Sequence, residues 1–133
     1  MDYVKIGDKV WDVLVVDITE SFSILYSENT GRTISQGAQM TLDPLGTFFN
    51  HKVTFQRKQG FEKQYDDLWN LVSAPRYDGI DVEIAHNQTT LKYKAYISQG
   101  ERALKRIDTK TNKVYWDKFS LNIVAMSAQV IPE

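Results

Sequence analysis

The chain has no cysteine, three prolines and two histidines among its 133 residues. The lack of cysteine excludes disulfides and thiolate metal sites, so an ordinary hydrophobic core has to stabilise the fold. No apolar run approaches the roughly 18 residues that a membrane span requires. Residues 1–5 also lack a basic segment followed by an apolar stretch. We therefore expect no secretory signal and no membrane association.

A strong charge of one sign is also missing, since 16 basic residues oppose 17 acidic ones. Nucleic-acid binders usually carry a large positive field, so we expect no sequence-specific nucleic-acid binding. The charges are unevenly distributed along the chain. Residues 1–30 contain six acidic and two basic side chains, whereas residues 92–118 contain eight basic and three acidic ones. Such segments can align subunits head to tail, or folding can intermix their charges.

Catalytic motifs are missing as well. His51 and His86 lie far apart in the sequence and belong to no HExxH-type metal motif. The adjacent Asp66 and Asp67 point in different directions on a helix, which favours two solvated side chains over an acid–base pair. No serine lies in a GxSxG elbow, and no glycine-rich phosphate loop precedes a helix. We therefore expect a non-enzymatic protein without metal or cofactor.

The residues that are present indicate one β-rich domain over residues 1–133. Hydrophobic residues make up 42% of the chain, enough for a single core at this length. Apolar residues recur at helical spacing only over residues 61–72, and Ser73-Ala74-Pro75 ends that segment. The predicted fold is mainly β, an antiparallel sandwich or barrel with one packed α-helix.

Alternating patterns predict the individual strands. Val4 and Ile6, a Gly7-Asp8 turn and residues 10–16 predict an opening hairpin. Further predicted strands cover residues 21–26, 52–56, 82–84, 91–97, 103–107 and 119–124, with reversals near Asn87, at 98–101 and at 109–112. Residues 27–47 form either a functional loop or an extended hairpin. Their apolar residues Ile34, Met40 and Leu42 can pack on the domain or contact a neighbour.

The densest basic cluster contains Arg102, Lys105 and Arg106, and Tyr115 and Trp116 follow closely. Aromatic residues interleaved with cations can bind single-stranded nucleic acid on an open β-barrel face. The same residue types are enriched in protein interfaces. A further hypothesis is a monomeric β-sandwich module that holds a glycan against Tyr93, Tyr96, Tyr115 or Trp116.

Several stretches in succession carry a family resemblance. They are Trp11-Asp12-Val13, residues 27–32 (SENTGR), residues 42–49 (LDPLGTFF), residues 75–80 (PRYDGI), residues 93–98 (YKAYIS) and Tyr115-Trp116-Asp117. Over nearly its whole length, the chain resembles small structural proteins from tail modules of bacteriophages and prophages of Gram-positive bacteria. The order of elements is also similar to the fold of tail-tube proteins and of the ring domain of distal-tail proteins.

This resemblance implies a structural subunit of a phage tail tube, distal-tail ring or connecting ring. Such a subunit self-associates into a ring, contacts other tail proteins and belongs to the virion tail after assembly in the bacterial cytoplasm. DNA can pass through the channel of such a ring. The charge pattern and residues 27–47 then nominate interface residues: Asn29, Arg32, Ile34, Met40, Leu42, Arg102, Lys105, Arg106 and Trp116.

Overall fold

The computed structural model describes residues 3–32 and 36–132. In chain order the elements are β1 (Val4–Ile6), β2 (Leu14–Tyr26), β3 (Gly31–Arg32), a 3₁₀ turn (Gln36–Ala38), β4 (Met40–Thr41), β5 (Pro44–Gln56), α1 (Glu62–Ser73), β6 (Ile80–His86), β7 (Thr89–Asp108) and β8 (Lys113–Ala125). Six strands form one antiparallel sheet in the order β1-β6-β7-β8-β5-β2, and β3 pairs with β4. The fold is mainly antiparallel β and sandwich-like, as the sequence predicts.

The core lies between the sheet and α1, which is the one α-helix in the described residues and confirms the helix predicted there. Phe119 is at its centre. The centroid of its ring lies 5.2 Å from that of Phe55, 4.9 Å from that of Tyr65 and 5.5 Å from that of Trp69. Phe119, Leu121 and Ile123 are buried on one face of β8, as their alternation predicts.

The predicted opening hairpin is wrong. The turn itself forms, with positive φ angles at Gly7 and Asp8, but β1 pairs with β6 rather than with the segment that follows. The backbone N–H of Ile6 donates to Lys9, and the indole of Trp11 donates to the carbonyl of Ile6 at 2.9 Å. Because both backbone groups of Ile6 are occupied, no second strand pairs there. The chain instead continues to β2 at the opposite edge of the sheet.

The predicted reversal at residues 98–101 is also wrong, because β7 runs through it as one strand of 20 residues. The polar residues mark a β-bulge between Ile97 and Gln99 instead of a turn. The Leu121 side chain packs closely against Gly100, because a Cβ at position 100 would lie 3.0 Å from it. The predicted reversals near Asn87 and at residues 109–112 are confirmed.

The strands are longer than predicted and extend past one another. β5 and β8 pair only where residues 51–55 meet residues 119–123. Residues 44–50 of β5 continue beyond that region, with β2 as their one partner among the named strands and a bridge from Thr47 to Val130 on the other side. We call residues 20–26 and 44–50 the β2–β5 arm. At the opposite end of the shared region, residues 113–118 of β8 continue with β7 as their one strand partner in the described residues. We call residues 102–108 and 113–118 the β7–β8 arm. The two arms therefore leave the sheet at opposite ends.

Residues 27–47 extend the β2–β5 hairpin in their described part. The backbone N–H of Ser27 donates to the carbonyl of Asp43 at 2.9 Å, and the Asp43 N–H donates to the hydroxyl of Thr30 at 2.8 Å. The Ser27 hydroxyl also hydrogen-bonds the Asp43 carboxylate. β3 and β4 then pair Arg32 with Met40. Of the two sequence interpretations, the structure shows the extended hairpin.

Candidate assembly interface

β2 forms one edge of the six-stranded sheet, so one of its sides has no strand neighbour in the described part of the chain. It is 13 residues long. All of these residues are exposed except Ile18, which is partly buried. A long open edge presents a row of unpaired backbone N–H and C=O groups, which another strand can join. β1, at the other edge, has three residues. β2 is therefore the main candidate for pairing with another chain.

The side chains of β2 are unusually apolar for exposed positions. Phe22 has 66% of its surface exposed. The other large exposed apolar residues of the strand are Leu14, Val15, Val16, Ile24, Leu25 and Tyr26. Exposed apolar patches that continue along one element mark interaction surfaces more often than isolated exposed residues do.

The sequence of β2 does not protect this edge in the usual ways. Natural edge strands often carry lysine, proline or bulges that discourage pairing. β2 has no proline, and no lysine or arginine occurs between residues 10 and 31. Its pairing with β5 is irregular at two places, between Val15 and Asp17 and between Leu25 and Tyr26, and regular from Asp17 to Leu25. The middle of β2 is thus a regular and open edge, on which the apolar residues Ile18, Phe22 and Ile24 occupy alternate positions among polar ones.

The other edge of the β2–β5 arm is covered. Thr47 of β5 exchanges backbone hydrogen bonds with Val130, and the side-chain amide of Gln129 bonds both the N–H and the carbonyl of Phe49 at 3.0 Å. Residues 128–130 thus occupy the side of β5 that faces away from β2. In this arm, the outer side of β2 is the edge left open among the described residues.

An apolar cleft of about 270 Å³ lies at the outer end of the arm. Ile24 and Tyr26 of β2 line it together with Leu42, Val130 and Ile131. Leu42 is 59% exposed and Met40 is 43% exposed, so neither packs into the core. The cleft therefore adjoins the apolar end of β2 at Ile24 and Tyr26.

Glu20 joins β2 to the sheet through two histidines. The Nε2–H of His51 donates to a Glu20 carboxylate oxygen at 2.9 Å, and Nδ1 of His86 lies 2.7 Å from the same oxygen. Because the carboxylate only accepts, Nδ1 of His51 is the acceptor for the Tyr93 hydroxyl at 2.7 Å. His51 is 2% exposed, and burial raises the pKa of Tyr93. This network anchors the middle of β2.

The network predicts that acid destabilises the fold. Burial lowers the pKa of His51 below its usual 6.5 more than Glu20 raises it. Desolvation raises the pKa of Glu20, but hydrogen bonds from His86 and His51 outweigh it and leave that pKa below 4.5. Both groups take up protons more readily in the unfolded chain, so the free energy of unfolding should fall as pH drops through 6.5 and again below 4.5. Urea titrations at several pH values measure this fall.

His51→Gln supplies the control for that titration. Glutamine can still hydrogen-bond but does not titrate, so the loss of stability between pH 7.5 and 5.5 should become smaller in the variant. A wild-type protein that gains stability as pH falls over this interval would show that protonated His51 forms a favourable ion pair with Glu20. That result would reverse the assigned sign.

The β7–β8 arm carries the basic cluster. Arg102 is only 17% exposed in its side chain, and its guanidinium carbon lies 4.0 Å from the ring centroid of Trp116 and 4.5 Å from that of Trp69. One of its nitrogens lies 3.3 Å from the carboxylate of Asp66 on α1. Arg102 thus joins the arm to the helix through stacking and an ion pair.

Arg102→Lys should cost about 1 kcal/mol of stability, because lysine keeps the charge near Asp66 but cannot stack its planar fork on both indoles. The measurement is the free energy of unfolding in urea, followed by tryptophan fluorescence. Lys105→Met is the matched control on the same strand, since Lys105 is exposed. An equal loss in both variants would mean that the effect is general to this strand and does not come from the stacking of Arg102 on the indoles.

The side chains of two further arginines lie close to the ring of Tyr115. The guanidinium carbons of Arg106 and Arg57 lie 4.3 Å and 4.7 Å from its ring centroid. Lys105 and Lys113 line the same polar cleft beside it. Arginine therefore already occupies the aromatic surface at Tyr115 and Trp116.

Among the aromatic rings proposed to hold a glycan, the ring of Tyr96 on β7 is the most exposed to solvent. Glycan binding stays a prediction, checked by tryptophan fluorescence during titration.

The structure divides the interface candidates between the two ends of the sheet. Asn29, Arg32, Met40 and Leu42 lie in the extension of the β2–β5 arm, and Ile34 lies outside the described residues. The other four candidates, Arg102, Lys105, Arg106 and Trp116, lie together on the β7–β8 arm.

Sequence reasoning missed the exposed edge of β2. The missing cations between residues 10 and 31 were a usable signal, because a protected edge strand usually carries them. The basic segment, residues 92–118, forms an ion pair outside the acidic segment, because Arg102 pairs with Asp66 of α1.

No protein-family model matches the chain, and no curated protein matches it. Over residues 3–32 and 36–132, no helix is long and apolar enough to cross a bilayer. The same residues contain no group of three histidine, cysteine or acidic side chains arranged to hold a metal ion.

Proposed function

We propose that this protein is a non-enzymatic structural subunit that self-associates through open strand edges, and that it serves in the tail of a bacteriophage or prophage. The observation that carries the proposal is β2, a 13-residue edge strand with exposed apolar side chains and no cation. In a monomer such an edge exposes unpaired backbone groups and promotes aggregation, whereas in an assembly it can pair with a strand of the next copy.

The phage-tail role comes from the resemblance of the sequence stretches to tail-module proteins. An antiparallel sheet with one packed helix is compatible with the ring-forming folds of that family, although fold alone does not determine function. A tube, distal-tail or connecting ring would use the same edge pairing. Within the virion, other tail proteins would contact the free arms, and DNA would pass through the ring.

Electron microscopy of the purified protein in negative stain tests the proposal. Closed rings or stacked tubes at high concentration would support a tail ring and give the number of subunits. Sedimentation velocity over the same concentrations should show mass increasing well above the 15.3 kDa of one chain. Particles that stay at the mass of one chain throughout would contradict self-association.

A further inference from the structure

We propose that copies of this protein join through two different strand edges, with the outer edge of β2 in one copy pairing with residues 96–108 of β7 in the next. The inference rests on the proposed self-association and names the surfaces that carry it.

β7 supplies a second long open edge. Its residues 89–95 pair with β6 on one side, whereas residues 96–108 have β8 as their one strand neighbour in the described part of the chain. A cleft of about 480 Å³ opens beside residues 96–100, between β7 and the end of α1. An incoming strand therefore has access to this part of the edge.

The outer edge of β2 and the free edge of β7 residues 96–108 lie at opposite ends of the strand order β7-β8-β5-β2. In the order β7-β8-β5-β2, each neighbouring pair is antiparallel, so β2 and β7 run in opposite directions. Copies related by rotation about an axis along the strands would therefore meet in antiparallel pairing, like every other ladder in the sheet. Joining different edges is a head-to-tail contact, which closes into a ring or continues as a filament.

Charge favours this pairing over a two-fold pairing of β2 with β2. β2 contains Asp17 and Glu20 and no cation, so two copies of β2 would bring acidic residues together without compensation. Within residues 96–108, Arg102 is already paired with Asp66 of α1, so Lys105 and Arg106 are the cations that can meet β2, with Glu101 and Asp108 on the same segment. The β7 edge therefore offers positive charge to an acidic strand.

Strand regularity points the same way. Three bulges interrupt the pairing of β7 with β8, after Ile97, Arg102 and Leu104. Bulges twist an edge and limit ladder formation, which disfavours two irregular β7 edges pairing with each other. The regular stretch of β2 from Asp17 to Leu25 can follow the unbulged run at residues 99–102. Pairing between β2 and β7 is therefore favoured over pairing of β2 with β2 or of β7 with β7.

Cross-linking tests the pairing, because a chain without cysteine allows single cysteines to be introduced cleanly. Ser23→Cys marks β2, and Gln99→Cys marks β7; both positions are exposed. The two variants, one carrying a tag that changes its mass, are mixed, assembled and treated with a short bis-maleimide. The expected main product is the mixed dimer, with little product from either variant alone.

The outcomes separate this inference from the proposed function. Ser23→Cys homodimers as the main product would establish a two-fold β2 contact and overturn the inference. Assembled particles without any cross-link would also overturn it, since other surfaces would then join the copies. Failure of the wild type to assemble at all would contradict the proposed function as well.

Charge reversal gives an independent test. Lys105→Glu with Arg106→Glu should abolish assembly while the circular dichroism spectrum of the monomer stays unchanged. Adding Asp17→Lys to that variant should restore part of the assembly, because a cation on β2 can then pair with the new acidic residues on β7. Lys58→Glu with Lys63→Glu is the control with an equal charge change away from β7. Assembly that persists through reversal at Lys105 and Arg106 would reject the charge argument.

Discussion

Replacing Phe22 and Ile24 with lysine should convert the assembled protein into a stable monomer. Both side chains are exposed on β2, so the substitutions remove little from the core. Lysines on an edge strand oppose the approach of a second strand, because pairing would bury or crowd their charges. Sedimentation velocity should therefore show a single-chain species at concentrations where the wild type assembles.

The control for this variant carries the same added charge elsewhere. Gln88→Lys with Asn70→Lys places two lysines at exposed positions outside β2 and outside residues 96–108 of β7. It should assemble like the wild type. Equal loss of assembly in both variants would mean that net charge, and not the β2 edge, controls association.

Phe119→Ala should have the largest effect on stability, lowering the free energy of unfolding by about 3–5 kcal/mol. Its ring contacts Phe55 on the neighbouring strand and Tyr65 and Trp69 on the helix, so its loss leaves a cavity where sheet and helix meet. Urea unfolding at a protein concentration below the onset of assembly measures the effect free of association.

Phe22→Ala is the matched comparison, since it deletes the same ring from an exposed strand position. It should cost less than about 1 kcal/mol, because little buried surface is lost. A cost similar to that of Phe119→Ala would show that Phe22 is buried in the folded monomer. That outcome would contradict the exposed edge on which the proposed function depends.

The helix and the buried faces of the strands were predictable because their signals are local. α1 shows the 3.6-residue spacing of apolar residues, and β8 alternates so that Phe119, Leu121 and Ile123 face the core. The opening hairpin was wrong because the turn signal at Gly7-Asp8 does not state which strand will pair with β1. The polar run at residues 98–101 was wrong because a bulge and a close approach at Gly100 favour the same residues as a turn.

The candidate interface was only half predictable. The basic cluster at Arg102, Lys105 and Arg106 was visible as a run of charge, and the structure places it on one arm. The exposure of Phe22 was not visible, because an apolar residue in a β pattern is usually assigned to a core. Which face is covered depends on elements distant in sequence.

The sequence by itself determined a β-rich, cysteine-free chain with one amphipathic helix, since hydrophobic period and residue type act over a few neighbouring positions. The tertiary structure alone decided that β2 ends the sheet, that β7 and β8 extend past β5, and that residues 128–130 cover one edge of an arm. These features arise from hydrogen bonds between residues far apart in the chain, whose partners no local pattern specifies.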